Sequence, residues 1–237
     1  MIYGELGRYP LDIRLKVKLI CYWYNVIHSK TSKLNNICYN ILLQLSNDNI
    51  MENAWLKCVK QTLTNCGLIF IWNSQAANIK YDWLKTIVTR TLQDLFITKW
   101  YSDMELSTKC ILYKDFKPEF GFENYLLHAP YQFTTCITKF RLSNHKLPVE
   151  RGRYLNIIRS ERTCDVCDMN VLGDEYHYIM ECRNEEIVKT RKSVIPIYYR
   201  TNINVLKFTE LIKKLSLSKT YCQKIGKLIK CIMSVVK

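Results

Sequence analysis

The sequence predicts a mainly α-helical protein: a helical connector followed by a small helical module stapled by a metal ion. Three observations lead there. Glycine (7) and proline (5) are scarce among 237 residues, which favours long helices over a many-stranded barrel. Apolar residues return at steps of three and four along several segments, the spacing of a helix face. And Cys164, Cys167, His177 and Cys182 fall in one short polar segment as C-x2-C-x9-H-x4-C, where no apolar core of its own is available.

Composition bounds the answer. At 48% hydrophobic and 24% charged residues the chain is globular, not disordered or low in complexity. Its length suits one good core or two small ones. The formal net charge of +14 attracts polyanions. An A+T-rich coding sequence also supplies Lys, Asn, Ile and Tyr by drift, so charge alone does not decide. The uncharged run from Leu19 to Ile27 begins too late for a signal peptide. It is also shorter than the roughly 20 apolar residues that cross a bilayer. Eleven irregularly spaced cysteines without an export signal suggest free thiols in a reducing compartment. The expected location is intracellular, nuclear or cytoplasmic, with no membrane partner.

In chain order, Tyr9-Pro10 precedes a helix from about Leu11. Ile13, Val17, Ile20, Tyr24 and Ile27 form its stripe. Further helical patterns run at about 34–46, 51–65, 79–98 and 104–114; on the third of these, Trp83, Ile87 and Thr91 are expected to face the core. The segment "KDFKPEFGFEN" (114–124) holds Pro118 and Gly121 among charges and is the candidate boundary. It separates a helical connector, 1–116, from a module spanning 125–237. That module opens with a short helix ending near Leu142. A basic loop containing Pro148 and Gly152 follows, then the cysteine–histidine segment. Helices at about 203–216 and 219–236 close the chain. In the last, Ile225, Leu228, Ile232 and Val235 make an apolar stripe against Lys224, Lys227 and Lys230.

The cysteine–histidine set fits zinc, which takes four soft or borderline ligands in a tetrahedron. Gly173 lets the chain turn, and Asp174 caps a short helix that carries His177. Five residues apart on a continuous helix means about 140° of separation. The helix must therefore loosen or end near Cys182. Four protein ligands leave no position for a catalytic water, so one structural Zn2+ is expected. The rival is a redox dithiol, which should sit at a strand-to-helix junction with few charges.

The blocks "GELGRYPL" (4–11), "FRLSNHKLPVERGRY" (140–154) and "ERTCDVC…GDEYHYIMEC" (161–182) carry a resemblance. Over roughly residues 3–200 the chain resembles the C-terminal region of non-LTR (LINE-type) retrotransposon reverse transcriptases. The cysteine-bearing part resembles the zinc-binding domain of such enzymes. The resemblance implies Cys164, Cys167, His177 and Cys182 as zinc ligands of a CCHC module, with Arg141 to Arg162 as its basic approach. It implies RNA or DNA as partner, and the polymerase core of the same retroelement beside it. The departures limit it. No Tyr/Phe-x-Asp-Asp turn is present, Asp82 and Asp103 lack an acidic neighbour, and no endonuclease set of Asp, Asn and His appears. The expectation is a fragment or truncated frame with no catalysis of its own.

Charge is uneven. Residues 141–162 carry Arg141, Lys146, Arg151, Arg153, Arg159 and Arg162 against Glu150 and Glu161. Five of the chain's eleven arginines lie there, although drift toward A+T would turn Arg into Lys. Guanidinium binds phosphate through a planar fork that ammonium lacks. Tyr154 and His145 sit among these charges and are placed to stack on unpaired bases. These seven residues, Arg141, Lys146, Arg151, Arg153, Tyr154, Arg159 and Arg162, are the candidate nucleic-acid contacts. The bland alternative is a solvated face paired to Glu150 and Glu161. Rival functions are a domesticated or decaying remnant that binds a protein, and an enzyme acting in trans with a separate polymerase chain.

Overall fold

In a computed structural model, which describes residues 1–236, the chain is mainly α-helical, with no strand among the described residues. Two isolated antiparallel bridges occur, Leu6 with Phe122 and Thr163 with Leu172. The chain forms two compact units. One is Tyr9–Lys99; the other joins Met1–Arg8 to the chain from Trp100 onward. The first helix, α1 (Ile2–Leu6), therefore belongs with the C-terminal part.

The Tyr9–Lys99 unit holds α2 (Leu11–Ile27), α3 (Leu34–Asn47), α4 (Ala54–Asn65), α5 (Ile69–Asn73) and the first part of α6 (Tyr81–Glu105). Pro10 stands at the start of α2, where its missing N–H costs nothing. Ile13, Ile20, Trp23 and Val26 form the buried face of α2. Trp23 stacks on Trp72 at 5.7 Å and donates its Nε1–H to the Tyr39 hydroxyl at 3.1 Å. Asn53 caps α4, its side chain accepting from the Trp55 and Leu56 amides. On the part of α6 up to Lys99 the buried residues are Leu84, Val88 and Leu92, one step from the expected Trp83, Ile87 and Thr91. One residue is about 100° of rotation. Apolar side chains lie all round this helix, so the pattern does not single out one face.

The expected helix at 104–114 is absent. The helix α6 stops at Glu105, and Cys110 has a left-handed backbone, φ 57, which an α-helical ladder does not pass. The short α7 (Tyr113–Phe116) follows. Nor is 114–124 a boundary. Two of its five charges turn inward: Lys117 donates to the Gly121 carbonyl at 2.7 Å and pairs with Glu123 at 2.7 Å. The Glu123 amide in turn donates to the Glu5 carbonyl at 2.9 Å. At Gly7, φ is 57 and a Cβ would lie 2.4 Å from the Phe122 nitrogen, so only glycine fits this close approach.

Next come α8 (Tyr125–His128) and α9 (Tyr131–Arg141), whose end agrees with the expected stop near Leu142. The supposed basic loop is in part a helix, α10 (Pro148–Tyr154), with Pro148 in its first turn, where that residue is pre-organised. After the cysteine–histidine segment come α11 (Glu185–Val194), α12 (Ile197–Arg200), α13 (Val205–Lys213) and α14 (Lys219–Val235). The helix α14 packs on α9 and α11. It buries Cys222, Ile225, Leu228, Ile229 and Ile232, leaves Val235 half-buried, and exposes Lys224, Lys227 and Lys230.

Candidate metal centre and basic face

The site is built from a hairpin and one modified helical turn. In the hairpin the Cys164 amide donates to the Val171 carbonyl at 2.8 Å, and the Gly173 amide to the Arg162 carbonyl at 2.9 Å. A Cβ on Gly173 would meet Pro148 Cγ at 2.9 Å and Cys164 Cα at 3.2 Å. Glycine lets α10 and the hairpin touch there. Asp174 Oδ1 accepts from the His177 amide at 2.9 Å, the expected cap. From His177 to Glu181 the helix is a π-turn, and the Cys182 amide donates to the His177 carbonyl at 2.8 Å. This i→i+5 turn is the loosening that a five-residue ligand spacing requires. Two carbonyls of the turn are met by a buried guanidinium: Arg191 Nε donates to Ile179 O at 2.7 Å and Nη2 to Tyr178 O at 3.0 Å.

Cys164, Cys167, His177 and Cys182 converge, with all four ligand atoms within 4.8 Å of one another. Cys164 and Cys182 sulfurs are 4.0 Å apart, and Cys167 Sγ is 3.4 Å from His177 Nε2. A tetrahedral ion with metal–sulfur bonds of about 2.3 Å has edges of about 3.8 Å. The four residues could thus hold one metal ion with little movement. The four lie together as one set, not as a Cys-x-x-Cys pair set apart from the other two.

The two buried thiols share one proton. The hydrogen bond from the Cys182 thiol pulls Cys164 down to about 3, against the opposing effect of burial. Sharing that proton drives Cys182 up. Only one of the two sulfurs ionises readily alone, whereas a dication lets both do so. His177 is buried, and its Nδ1 has no hydrogen-bond partner. The Glu181 carboxylate lies 3.6 Å away, within ion-pair reach but too long for a hydrogen bond. That arrangement leaves Nε2 to face the sulfurs, with a carboxylate behind the ring.

The candidate nucleic-acid residues divide. Arg141 is a correction: it is buried, forks onto Glu5 at 3.1 and 3.0 Å and pairs with Glu123 at 3.1 Å. Its guanidinium lies 4.7 Å from the Phe116 ring centre and 4.9 Å from that of Tyr125. No phosphate reaches it; two inward-facing acids, invisible as neighbours in the sequence, claim its charge. The others lie nearer solvent. Lys146 and Tyr154 are exposed. Arg151 pairs with Asp165 at 2.7 Å, and Arg153 donates to the Thr108 carbonyl at 2.8 Å with Glu150 at 3.7 Å. Arg159 lies 4.0 Å from Asp174. Arg162 donates to the Ile157 and Val149 carbonyls. Arg153, Arg159 and Arg162 together line an open cleft of about 710 Å³ with Ser107, Thr108 and Asn156.

Sequence reasoning missed Glu5, Glu181 and Arg191. The first pairs across 136 residues, and the last sits in a lysine-rich tail whose charge gives no hint of burial. Glu181, four residues beyond His177, could have been found from helix spacing. No helix of the described residues is long and apolar enough to cross a membrane. Comparison with protein-family models, curated proteins and solved structures finds no match.

Proposed function

We propose that this chain is a nucleic-acid-binding module stapled by one structural Zn2+, the C-terminal part of a retroelement reverse transcriptase. In this reading it binds RNA or DNA beside the polymerase core and catalyses nothing itself. Three thiolates and one imidazole suit zinc among the divalent ions. One observation carries the proposal: the metal hairpin is fastened to the arginine cleft. The Val149 amide donates to the Gly173 carbonyl at 3.1 Å, and Arg162 Nη1 to the Val149 carbonyl at 2.8 Å. A bound ion would therefore hold Arg153, Arg159 and Arg162 in one orientation, as phosphate binding requires.

The test is affinity for an unrelated single strand between low and moderate salt. Each phosphate contact contributes about 0.7 to the log–log salt slope. Arg159→Ala should lower affinity for all sequences alike and flatten the slope by about that amount. Tyr154→Ala should weaken binding with the slope unchanged, because stacking releases no counterion. Absence of binding at low salt by zinc-loaded protein would overturn the proposal.

A further inference from the structure

Beside the arginines lies a surface that charge does not explain. Between Arg153 and Arg159 the chain exposes Tyr154 (80%), Leu155 (63%) and Ile158 (67%) to solvent. Ile157 is turned toward the cleft, where Leu106, 78% exposed, and Ile111 join it as lining. Large apolar side chains held in water mark a contact surface when they adjoin one another.

This tip cannot fold back to hide them. Asn156 has a left-handed backbone, φ 53, and the Ile157 amide donates to the Gly152 carbonyl at 2.9 Å. The Ile157 carbonyl is clamped by Arg162, from Nε at 2.9 Å and Nη2 at 2.7 Å. Arg162 is thus both cleft wall and clamp. The acid in the lining, Glu105, is engaged by Lys114 at 2.8 Å, which leaves the cleft's own charge positive.

The ligand that fits must offer an anion and an apolar face within one small unit. A blunt duplex offers its phosphates and the outer face of its last pair but no base free to enter the cleft, and would leave Leu106, Ile111 and Ile157 wet. An unpaired nucleotide offers both. At about 710 Å³ the cleft lies in the range of small-ligand sites. Resting on the nucleic-acid reading of the same arginines, we propose that the cleft holds an unpaired nucleotide where a duplex ends. Its phosphate lies on Arg153, Arg159 and Arg162, and its base against Ile111 and Ile157. Leu155 and Ile158 abut the last base pair, as apolar side chains do when they wedge against a base step.

The experiment uses the full zinc-loaded chain and three labelled oligonucleotides of equal phosphate count: a single strand, a blunt duplex, and a duplex with a single-stranded overhang. A fluorescent purine analogue occupies the first unpaired position. The overhang should bind about tenfold tighter than the blunt duplex, the gain from burying roughly 55 Å² of apolar surface against two aliphatic side chains. The analogue's emission should change on binding. Ile111→Ser/Ile157→Ser should abolish that preference with the salt slope unchanged, whereas Leu155→Ser/Ile158→Ser should weaken overhang and blunt duplex alike; all four positions are exposed, and a thermal melt verifies folding. Equal affinity for overhang and blunt duplex overturns the unpaired-nucleotide site but leaves nucleic-acid binding standing. Failure to bind any of the three overturns both. Binding instead to phosphatidylserine vesicles, lost in Leu155→Ser/Ile158→Ser, overturns both in favour of a membrane-inserting tip.

Discussion

Arg141→Met tests whether this arginine serves the fold or a ligand. In the native protein its side chain is 0% exposed, against 1% for Glu5 and 13% for Glu123. Lys117 remains within 2.7 Å of Glu123, so removing Arg141 leaves Glu5 as the acid without its fork. Taking one partner from a buried pair costs about 3–5 kcal/mol. At a urea slope of about 2 kcal/mol/M, the midpoint should fall by about 2 M. Hydrogen exchange should show the loss in residues 1–8 and 100–236 rather than in 9–99. The effect should depend on pH with a defined sign. Burial pushes the Glu123 carboxyl up, but Arg141, Lys117 and Ser216 together hold it below its usual range. A depressed carboxyl contributes stability above its unfolded value and loses it as pH falls through the folded one. The gap between wild type and Arg141→Met should therefore be widest at neutral pH and narrow below about pH 4.3. Wild-type stability combined with weakened binding to nucleic acid would refute the buried reading and return Arg141 to the phosphate contacts.

Purified protein should carry one zinc per chain. Cys167→Ser should lose it together with exchange protection over about residues 160–185, while Tyr9–Lys99 stays protected, because structural zinc supplies about 10–16 kcal/mol of apparent binding energy. Metal-free native protein with freely reactive thiols would contradict this. Gly173→Ala places a Cβ 2.9 Å from Pro148 Cγ and should destabilise the metal unit by about 1–3 kcal/mol, as overpacking does. Denaturation with and without a chelator measures it. The isolated chain should not extend a primer on an RNA template, since two-metal chemistry needs clustered carboxylates. Template-dependent synthesis by purified protein would disprove that.

What was legible in the sequence was local. The start of α2 at Leu11 followed from Pro10, and the end of α9 at Arg141 agrees with the expected stop near Leu142. The ligand set followed from residue type and spacing, and so did the need for a loosened turn between His177 and Cys182. What was not legible depended on distant partners. Arg141 reads as one more cation in a basic run, and only Glu5 and Glu123 make it an interior group. The segment 114–124 has the composition of a linker, but two of its charges, Lys117 and Glu123, pair with each other in the interior. On α6, apolar residues on every side left the buried face undetermined by pattern.

The return of residues 1–8 to the C-terminal unit has a consequence for biosynthesis. Glu5 is made 136 residues before Arg141. At roughly 5–20 residues per second, it waits on the order of ten seconds for its partner. The five-residue α1 is far too short to persist alone in that interval. Tyr9–Lys99, by contrast, can close its core from contiguous chain as soon as that segment has emerged. The unit that carries the cysteine–histidine set therefore matures last, by a slow long-range closure around an arginine that has just been synthesised. A chaperone that grips the first eight residues would hold back this unit and leave the other folded.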